Sequence, residues 1–235
     1  MKKMTLMQHF SELRRRILFV VVGFLAAFAI GWYVSDWLLE FIVAPLINVW
    51  TDGVLMYSGL TDGLMLRLSL AALFGLLVII PLGLWNLWAF VAPGLKKQER
   101  KLIWPVLFLS PVLFLLGAAF AFYLLFPIVF NFFVQLNQVV DMPVIMLPDA
   151  RSYVAFAIGM LKVFGVVFQL PLILVLMNRI GVLPRSRVVA MRRYAIVLIV
   201  VVAAVLTPPD VVSQLMLAIP MWILFEISIL FMRNK

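Results

Sequence analysis

Six stretches of this 235-residue chain are long and almost wholly apolar: about 17–34, 64–90, 102–126, 153–177, 194–206 and 215–232. Runs of this kind are read as membrane spans. Lipid offers no partner to an unpaired backbone N–H or C=O, so all six are predicted to be helices. Composition agrees: 66% of the residues are hydrophobic and 12% charged, about half the charged fraction of a soluble domain. The expected fold is an all-α integral membrane protein with six transmembrane helices, a single membrane domain over 1–235 entered through a lead, 1–16. The first apolar run continues through Trp32 and Tyr33 as an interfacial anchor, so it is read as a retained span and not as a cleaved signal. Pro81 breaks the second run, the third contains Pro105 and Pro111, the fourth Pro171 and the sixth Pro220. The last two helices are expected to be short: residues 194–206 reach only about 20 Å, against a hydrocarbon core of roughly 30 Å. With Thr207-Pro208-Pro209-Asp210 as a tight turn, such a hairpin sits partly sunken, thins the bilayer or packs against partner helices.

Charge gives the sidedness. Of the 19 Lys and Arg, all except Arg67, Arg151 and Lys162 fall in the lead, in the connections 96–101 and 179–193, or at the C-terminus. Asp36, Glu40, Asp52, Asp62, Asp141, Asp149 and Asp210 fall in the alternate connections. The positive-inside rule then predicts cytosolic N- and C-termini, which an even number of spans allows. This bias accounts for the net charge of +9. No exposed aromatic platform interleaves with the basic residues, so nucleic acid is not an expected partner. Cysteine is absent, which excludes disulfides, thiolate metal sites and thiol catalysis.

Two acids share the basic face. Glu12 lies in Ser11-Glu12-Leu13-Arg14-Arg15-Arg16, and Glu99 in Lys96-Lys97-Gln98-Glu99-Arg100-Lys101. Membrane orientation has no use for them, so they read as acceptors for a positively charged ligand. On the opposite side, the segment Asp36–Val43 has apolar residues at helical spacing and is expected to lie along the membrane surface.

No catalytic constellation is legible. His9 is the only histidine, Asp36 and Glu40 lack a base or metal partner, and there is no phosphate loop or zinc spacing. The chain is read as no enzyme, with no metal and no cofactor. Lys162, Gln169 and Glu226 are polar residues inside spans, where such groups face a partner or a cavity. Lys162 and Gln169 are seven apart and are expected on one helix face, with Leu170-Pro171 exposing Gln169. Thr207 and Gln214 flank the outer turn, a polar spot where a single-span helix can dock by hydrogen bonds of about 0.6–2 kcal/mol each.

Several motifs converge on one family. His9-Phe10-Ser11-Glu12-Leu13-Arg14-Arg15-Arg16 resembles the lead of TatC, the multispanning subunit of the twin-arginine protein translocase. Ala44-Pro45-Leu46, Trp88-Ala89-Phe90-Val91-Ala92-Pro93-Gly94-Leu95 with Glu99-Arg100, Phe164-Gly165-Val166-Val167-Phe168-Gln169-Leu170-Pro171, Leu206-Thr207-Pro208-Pro209-Asp210-Val211-Val212-Ser213-Gln214, and Ala218-Ile219-Pro220 with Leu224-Phe225-Glu226-Ile227 follow the family pattern in order along the whole chain. The resemblance implies a receptor for the twin-arginine signal peptides of folded passenger proteins in the bacterial cytoplasmic (inner) membrane. It implies single-span TatA- and TatB-type partners, further copies of the chain itself, and use of the proton-motive force. It carries signal-peptide binding onto Glu12, Phe90, Pro93 and Glu99, an intramembrane groove onto Gln169, and partner-helix contact onto Thr207 and Gln214. Gln169 stands where many relatives have Glu, so a titratable carboxylate is missing there. The triple Arg14-Arg15-Arg16 is more basic than the common pattern and is placed to compete for Glu12.

Arginine suits paired carboxylates because its planar fork makes two parallel hydrogen bonds. Each charge-assisted bond contributes roughly 1.5–3 kcal/mol. Two such clamps near water reach only about millimolar affinity, so they discriminate while an apolar groove supplies the hold. Two other classes stay open on the residues alone: a small-solute or ion-coupled transporter lined by Lys162, Gln169 and Glu226 with helices broken at proline, and a purely structural scaffold.

Overall fold

The structure, a computed structural model, describes residues 6–50, 54–91, 97–138, 147–206 and 211–233, with side chains described over 11–50, 54–90, 104–135, 147–206 and 211–233. Apart from one isolated bridge, the regular structure among these residues is helical. The helices are α1 (Leu6–Tyr33), α2 (Ser35–Val49), α3 (Asp62–Val91), α4 (Lys97–Phe120), a π-helical turn (Ala121–Leu125), α5 (Phe126–Gln138), α6 (Ala150–Val167), α7 (Leu170–Arg179), α8 (Arg185–Ala190), α9 (Arg192–Leu206) and α10 (Val211–Phe231). Five helical stretches among the described residues are long and apolar enough to cross a membrane: Ser11–Tyr33, Asp62–Phe90, Trp104–Gln135, Ala150–Arg179 and Val211–Phe231. The fifth expected segment, α9, has 15 residues and reaches only about 22 Å at 1.5 Å per residue. At 21 residues, α10 is the next shortest and reaches about 31 Å by the same rise. The length mismatch therefore lives in α9. The turn Thr207–Asp210 lies outside the described residues.

Contacts divide the chain into two compact units, residues 1–38 with 67–112, and residues 39–66 with 113–235. In the first unit α1 and α3 run antiparallel along a seam of small residues. A Cβ on Gly31 would fall 2.9 Å from the Ala71 carbonyl oxygen, and one on Gly75 would fall 3.0 Å from the Phe24 ring. Glycine is thus what lets the backbones approach, as is common between membrane helices. Trp85 packs edge-on to Phe108, with centroids 5.0 Å apart, and ties α3 to α4.

The second unit is centred on Phe114, Phe126, Met160, Phe164, Leu217 and Ile229, all essentially without exposure. Gly117 stands against the backbone carbonyl of Phe164, and Gly165 against the ring of Phe114, so at these two points the absence of a side chain on glycine lets α4 and α6 meet closely. Phe41 of α2 stacks on Phe122 at 4.4 Å. The first long connection forms the helix α2, which buries Ile42, Val43 and Leu46.

Three expectations change. The third span does not end near 126: the helix passes through the π turn, closed by Phe126 N–H on the Ala121 carbonyl, and continues as α5. Pro127, which has no N–H to give, follows directly, and a wide turn is a usual accommodation. Asn131, Gln135 and Gln138 made this stretch read as loop, while Phe126, Val129, Phe130 and Val134 bury its other face. The fourth span is interrupted between α6 and α7 at Phe168 and Gln169, with Pro171 in the first turn of α7. This break undoes the face shared by Lys162 and Gln169: Lys162 is exposed and Gln169 is buried. Pro81, Pro105, Pro111 and Pro220, by contrast, lie inside uninterrupted helices.

Candidate functional site

The glycine seam sets the register that builds the site. Gly23 faces Ile79 across the seam. Two helical turns farther, at seven residues along each helix, Arg16 meets Asn86. Arg16 is fully engaged. Its Nε and Nη2 donate to Oε1 of Glu12, one turn earlier on α1, at 3.0 and 2.7 Å. Its Nη1 donates to the backbone oxygen and to Oδ1 of Asn86, at 3.1 and 3.3 Å. Asn86 Nδ2 in turn donates to the Leu82 carbonyl at 2.9 Å, which turns the amide oxygen toward Arg16. The Glu12 and Arg16 side chains are 24% and 25% exposed. The second carboxylate oxygen, Oε2, is enclosed and has no partner among the described residues.

Two cavities flank this bridge, and Arg16 and Asn86 line both. One, of about 440 Å³, is bordered by Glu12, Arg15, Phe19 and Trp85. The other, of about 220 Å³, is bordered by Leu13, Ile17, Leu87 and Phe90. Of the four residues expected to bind signal peptide, Glu12 and Phe90 are thus brought to one seam. Pro93 lies outside the described residues. Glu99 falls within α4, but its side chain lies outside them. Asn86 and Trp85 went unnoticed in the sequence, although an amide inside the second apolar run was itself a signal. The i, i+4 spacing of Glu12 and Arg16 was another.

Gln169, in the second unit, is 6% exposed. It sits at the N-cap of α7, its N–H bonded to the Val166 carbonyl at 2.9 Å and its carbonyl accepting from Ile173 at 2.9 Å. The expectation that Leu170-Pro171 exposes it is not met, because the chain stays in helical conformation through the break. Glu226 pairs with Arg192 at 2.7 Å. Gln214 Nε2 donates to the Val200 carbonyl of α9 at 3.0 Å, and Thr207 lies outside the described residues. Of the three basic residues that departed from the charge bias, two pair with acids of the alternate connections: Arg67 with Asp36 at 2.9 Å and Arg151 with Asp62 at 3.1 Å.

Chemically the Glu12 seam is a binding arrangement. It offers a carboxylate that holds a guanidinium, with aromatic and apolar walls. No group of His, Cys, Asp or Glu among the described residues is placed to hold a metal.

Comparison with known proteins gives one answer. The profile of the Sec-independent protein translocase protein (TatC) family matches residues 8–220. The chain is 36% identical to the TatC protein of Magnetococcus marinus, with 99% of this chain and 85% of that one aligned. It is 35% identical to that of Rickettsia prowazekii, with 98% and 93% aligned. A crystal structure of the twin-arginine translocase receptor TatC superposes with a TM-score of 0.84 at 28% identity, over 95% of this chain and 97% of that one. A profile match across most of the length, these identities and a shared fold place the chain in the TatC family of Sec-independent protein translocase proteins.

Proposed function

We propose that this chain is the signal-peptide receptor of its translocase and that Glu12 receives one guanidinium of the paired arginines. As a family member it is a translocase subunit of the bacterial inner membrane and not an enzyme, and nothing favours a solute transporter. Its solved relative is described as a receptor, and that role is carried here by one observation: Glu12 already grips a guanidinium through two N–H groups on one oxygen. In the free chain that guanidinium belongs to Arg16. An incoming arginine exchanges with it, trading an equivalent bond for an equivalent bond, so the net gain is small. A charge-assisted bond nets roughly 1.5–3 kcal/mol before that exchange is subtracted. The contact therefore selects, and apolar contacts hold.

The rest of the reading follows. Glu99 takes the second arginine, and Phe90 and Pro93 wall the entry. The signal's apolar segment enters a groove at the α6–α7 break, where Gln169 becomes reachable only if the break opens. Thr207 and Gln214 contact TatA- or TatB-type helices, and further copies of the chain complete the complex. The chain forms one membrane domain with six spans, α9 being the short fifth, and both termini are cytosolic.

The test compares labelled peptides carrying Arg-Arg or Lys-Lys, with the purified protein in detergent. Glu12→Gln is expected to lower Arg-Arg binding a few-fold, as a net gain of about 0.5 kcal/mol implies, and to erase the preference over Lys-Lys. A preference that survives the substitution removes Glu12 from the role.

A further inference from the structure

A cavity in the second unit has no part in the reading above. It measures about 300 Å³ and lies among α7, α8, α9 and α10, bordered by Leu170, Leu174, Val188, Leu198, Ile199 and Phe225. At the lower end of ligand-pocket sizes, it holds a hydrocarbon chain but not a helix, whose diameter is about 10 Å. Its wall is apolar except at one place. Tyr194 also lines it, and the Arg193 guanidinium stands 4.8 Å from the centre of that ring, with Nη2 donating to the Tyr194 hydroxyl at 2.9 Å.

The segment that supplies Leu183, Val188 and Met191 to the lining is one-sided in charge. Residues 179–193 carry Arg179, Arg185, Arg187, Arg192 and Arg193 and no acid. Glu226, next to the lining residue Phe225, is taken by Arg192 at 2.7 Å. Arg187 and Arg193 have no carboxylate partner among the described residues. An apolar slot with the Arg193 guanidinium on its one polar lining residue matches an amphiphile with a hydrocarbon tail and an anionic head. Guanidinium binds phosphate in the same forked geometry as carboxylate.

We propose that this cavity seats an anionic phospholipid, with a segment of one acyl chain between α7 and α9 and the phosphodiester held by Arg193, with Arg187 adding charge. Positive residues beside a span also serve orientation, but orientation requires neither an apolar slot nor an arginine stacked at its rim. The site depends on neither the signal-recognition reading nor the sidedness of the chain.

The test uses the whole purified chain, delipidated in detergent and offered equal phosphatidylglycerol and phosphatidylcholine, with retained lipid read by native mass spectrometry. Retention of one phosphatidylglycerol with about tenfold preference, a 1.4 kcal/mol difference, is expected. The double variant Arg187→Gln with Arg193→Gln should still hold lipid but bring the preference close to parity. Ala195→Phe, which fills the cavity, should abolish retention of both lipids. If that variant does not fold, Leu198→Trp serves the same purpose, with circular dichroism as the check. Glycerophosphoglycerol, the headgroup without chains, should not compete. Equal retention of the two lipids by the parent chain overturns the proposal, as do a preference that survives the double variant, retention unchanged by a filled cavity, or full competition by the headgroup alone.

Discussion

Two polar junctions of this protein use similar groups and reach opposite states. In the second unit, the segments 54–62 and 147–153 are cross-tied. The Met56 N–H donates to the Pro148 carbonyl at 3.1 Å and the Ala150 N–H to the Met56 carbonyl at 2.9 Å, and Ser58 donates to Asp149 at 3.1 Å. Arg151 pairs with Asp62 at 3.1 Å, and the Tyr153 hydroxyl donates to the Ile42 carbonyl at 2.8 Å. Each named group there has a fixed partner. In the first unit, the Glu12–Arg16–Asn86 seam leaves a carboxylate oxygen enclosed with no partner among the described residues and borders an open cavity with Arg15 on its rim. A buried polar group left unpaired is costly. The saturated junction is thus a brace, and the unsaturated one is where the proposed function places a ligand that brings donors.

The largest expected effect tests the braced unit. Gly117→Ala drives a methyl group into the Phe164 carbonyl, a backbone atom that has nowhere to move. Overpacking of this kind costs about 1–3 kcal/mol, so the thermal midpoint in detergent should fall by several degrees. Gly83→Ala is the control, since a Cβ there meets nothing. It removes a mid-helix glycine and should leave stability equal or raise it by about 0.5–1 kcal/mol. Equal losses in the two variants would mean that the α4–α6 contact is not the rigid part of the molecule.

Next in size is the reversal of sign at the unsaturated seam. If Arg16 competes for Glu12, Arg16→Gln frees the carboxylate, and arginine-peptide affinity rises. The gain should be a few-fold, since a partly exposed i, i+4 ion pair nets only about 0.5 kcal/mol. Glu12→Gln lowers the same affinity. A loss in Arg16→Gln as large as that in Glu12→Gln makes Arg16 a holder of Glu12 and not its competitor, and the contrast between the two junctions narrows.

How much of this was legible depends on what fixes each feature. The apolar runs fix span identity, because a bilayer admits little else, and α1, α3, α6 with α7, and α10 lie close to their expected places. Residues 127–138 were misread because a half-buried amphipathic helix carrying Asn and Gln looks like a loop when only mean apolarity is followed. Glu12 was visible as a charge out of place. Asn86 was hidden because its role comes from register: the glycines at 23, 31 and 75 set how α1 lies on α3, and only that alignment brings Asn86 to Arg16. The burial of Gln169 was hidden for a related reason. Periodicity assumes one continuous helix, and the interruption at Phe168 and Gln169 resets the phase, so the spacing to Lys162 lost its meaning.

The smallest effect lies at the braced junction, where pH can loosen one tie. Asp149 caps α6, accepting the Ser152 N–H at 2.8 Å. Its pKa lies below the ordinary 3.8, chiefly because the Ser152 side chain and N–H donate to it, with Ser58 adding to the effect. A carboxyl whose folded value is depressed contributes stability that is present above its unfolded value and is lost as pH falls through the folded one. Neutral pH therefore lies in the protected range, and the loss sets in as pH falls into the ordinary carboxylate range and is completed below it. Hydrogen exchange at the Ser152 amide should show protection, corrected for intrinsic rate, that drops on acidification into and below that range in the parent chain. In Asp149→Asn, which keeps a cap but cannot titrate, it should stay constant. The Met56–Ala150 backbone ties involve no titrating group, so their amides should stay protected in both. If they open together with Ser152, the carboxylate is what holds the brace closed, and the junction is less saturated than its hydrogen bonds indicate.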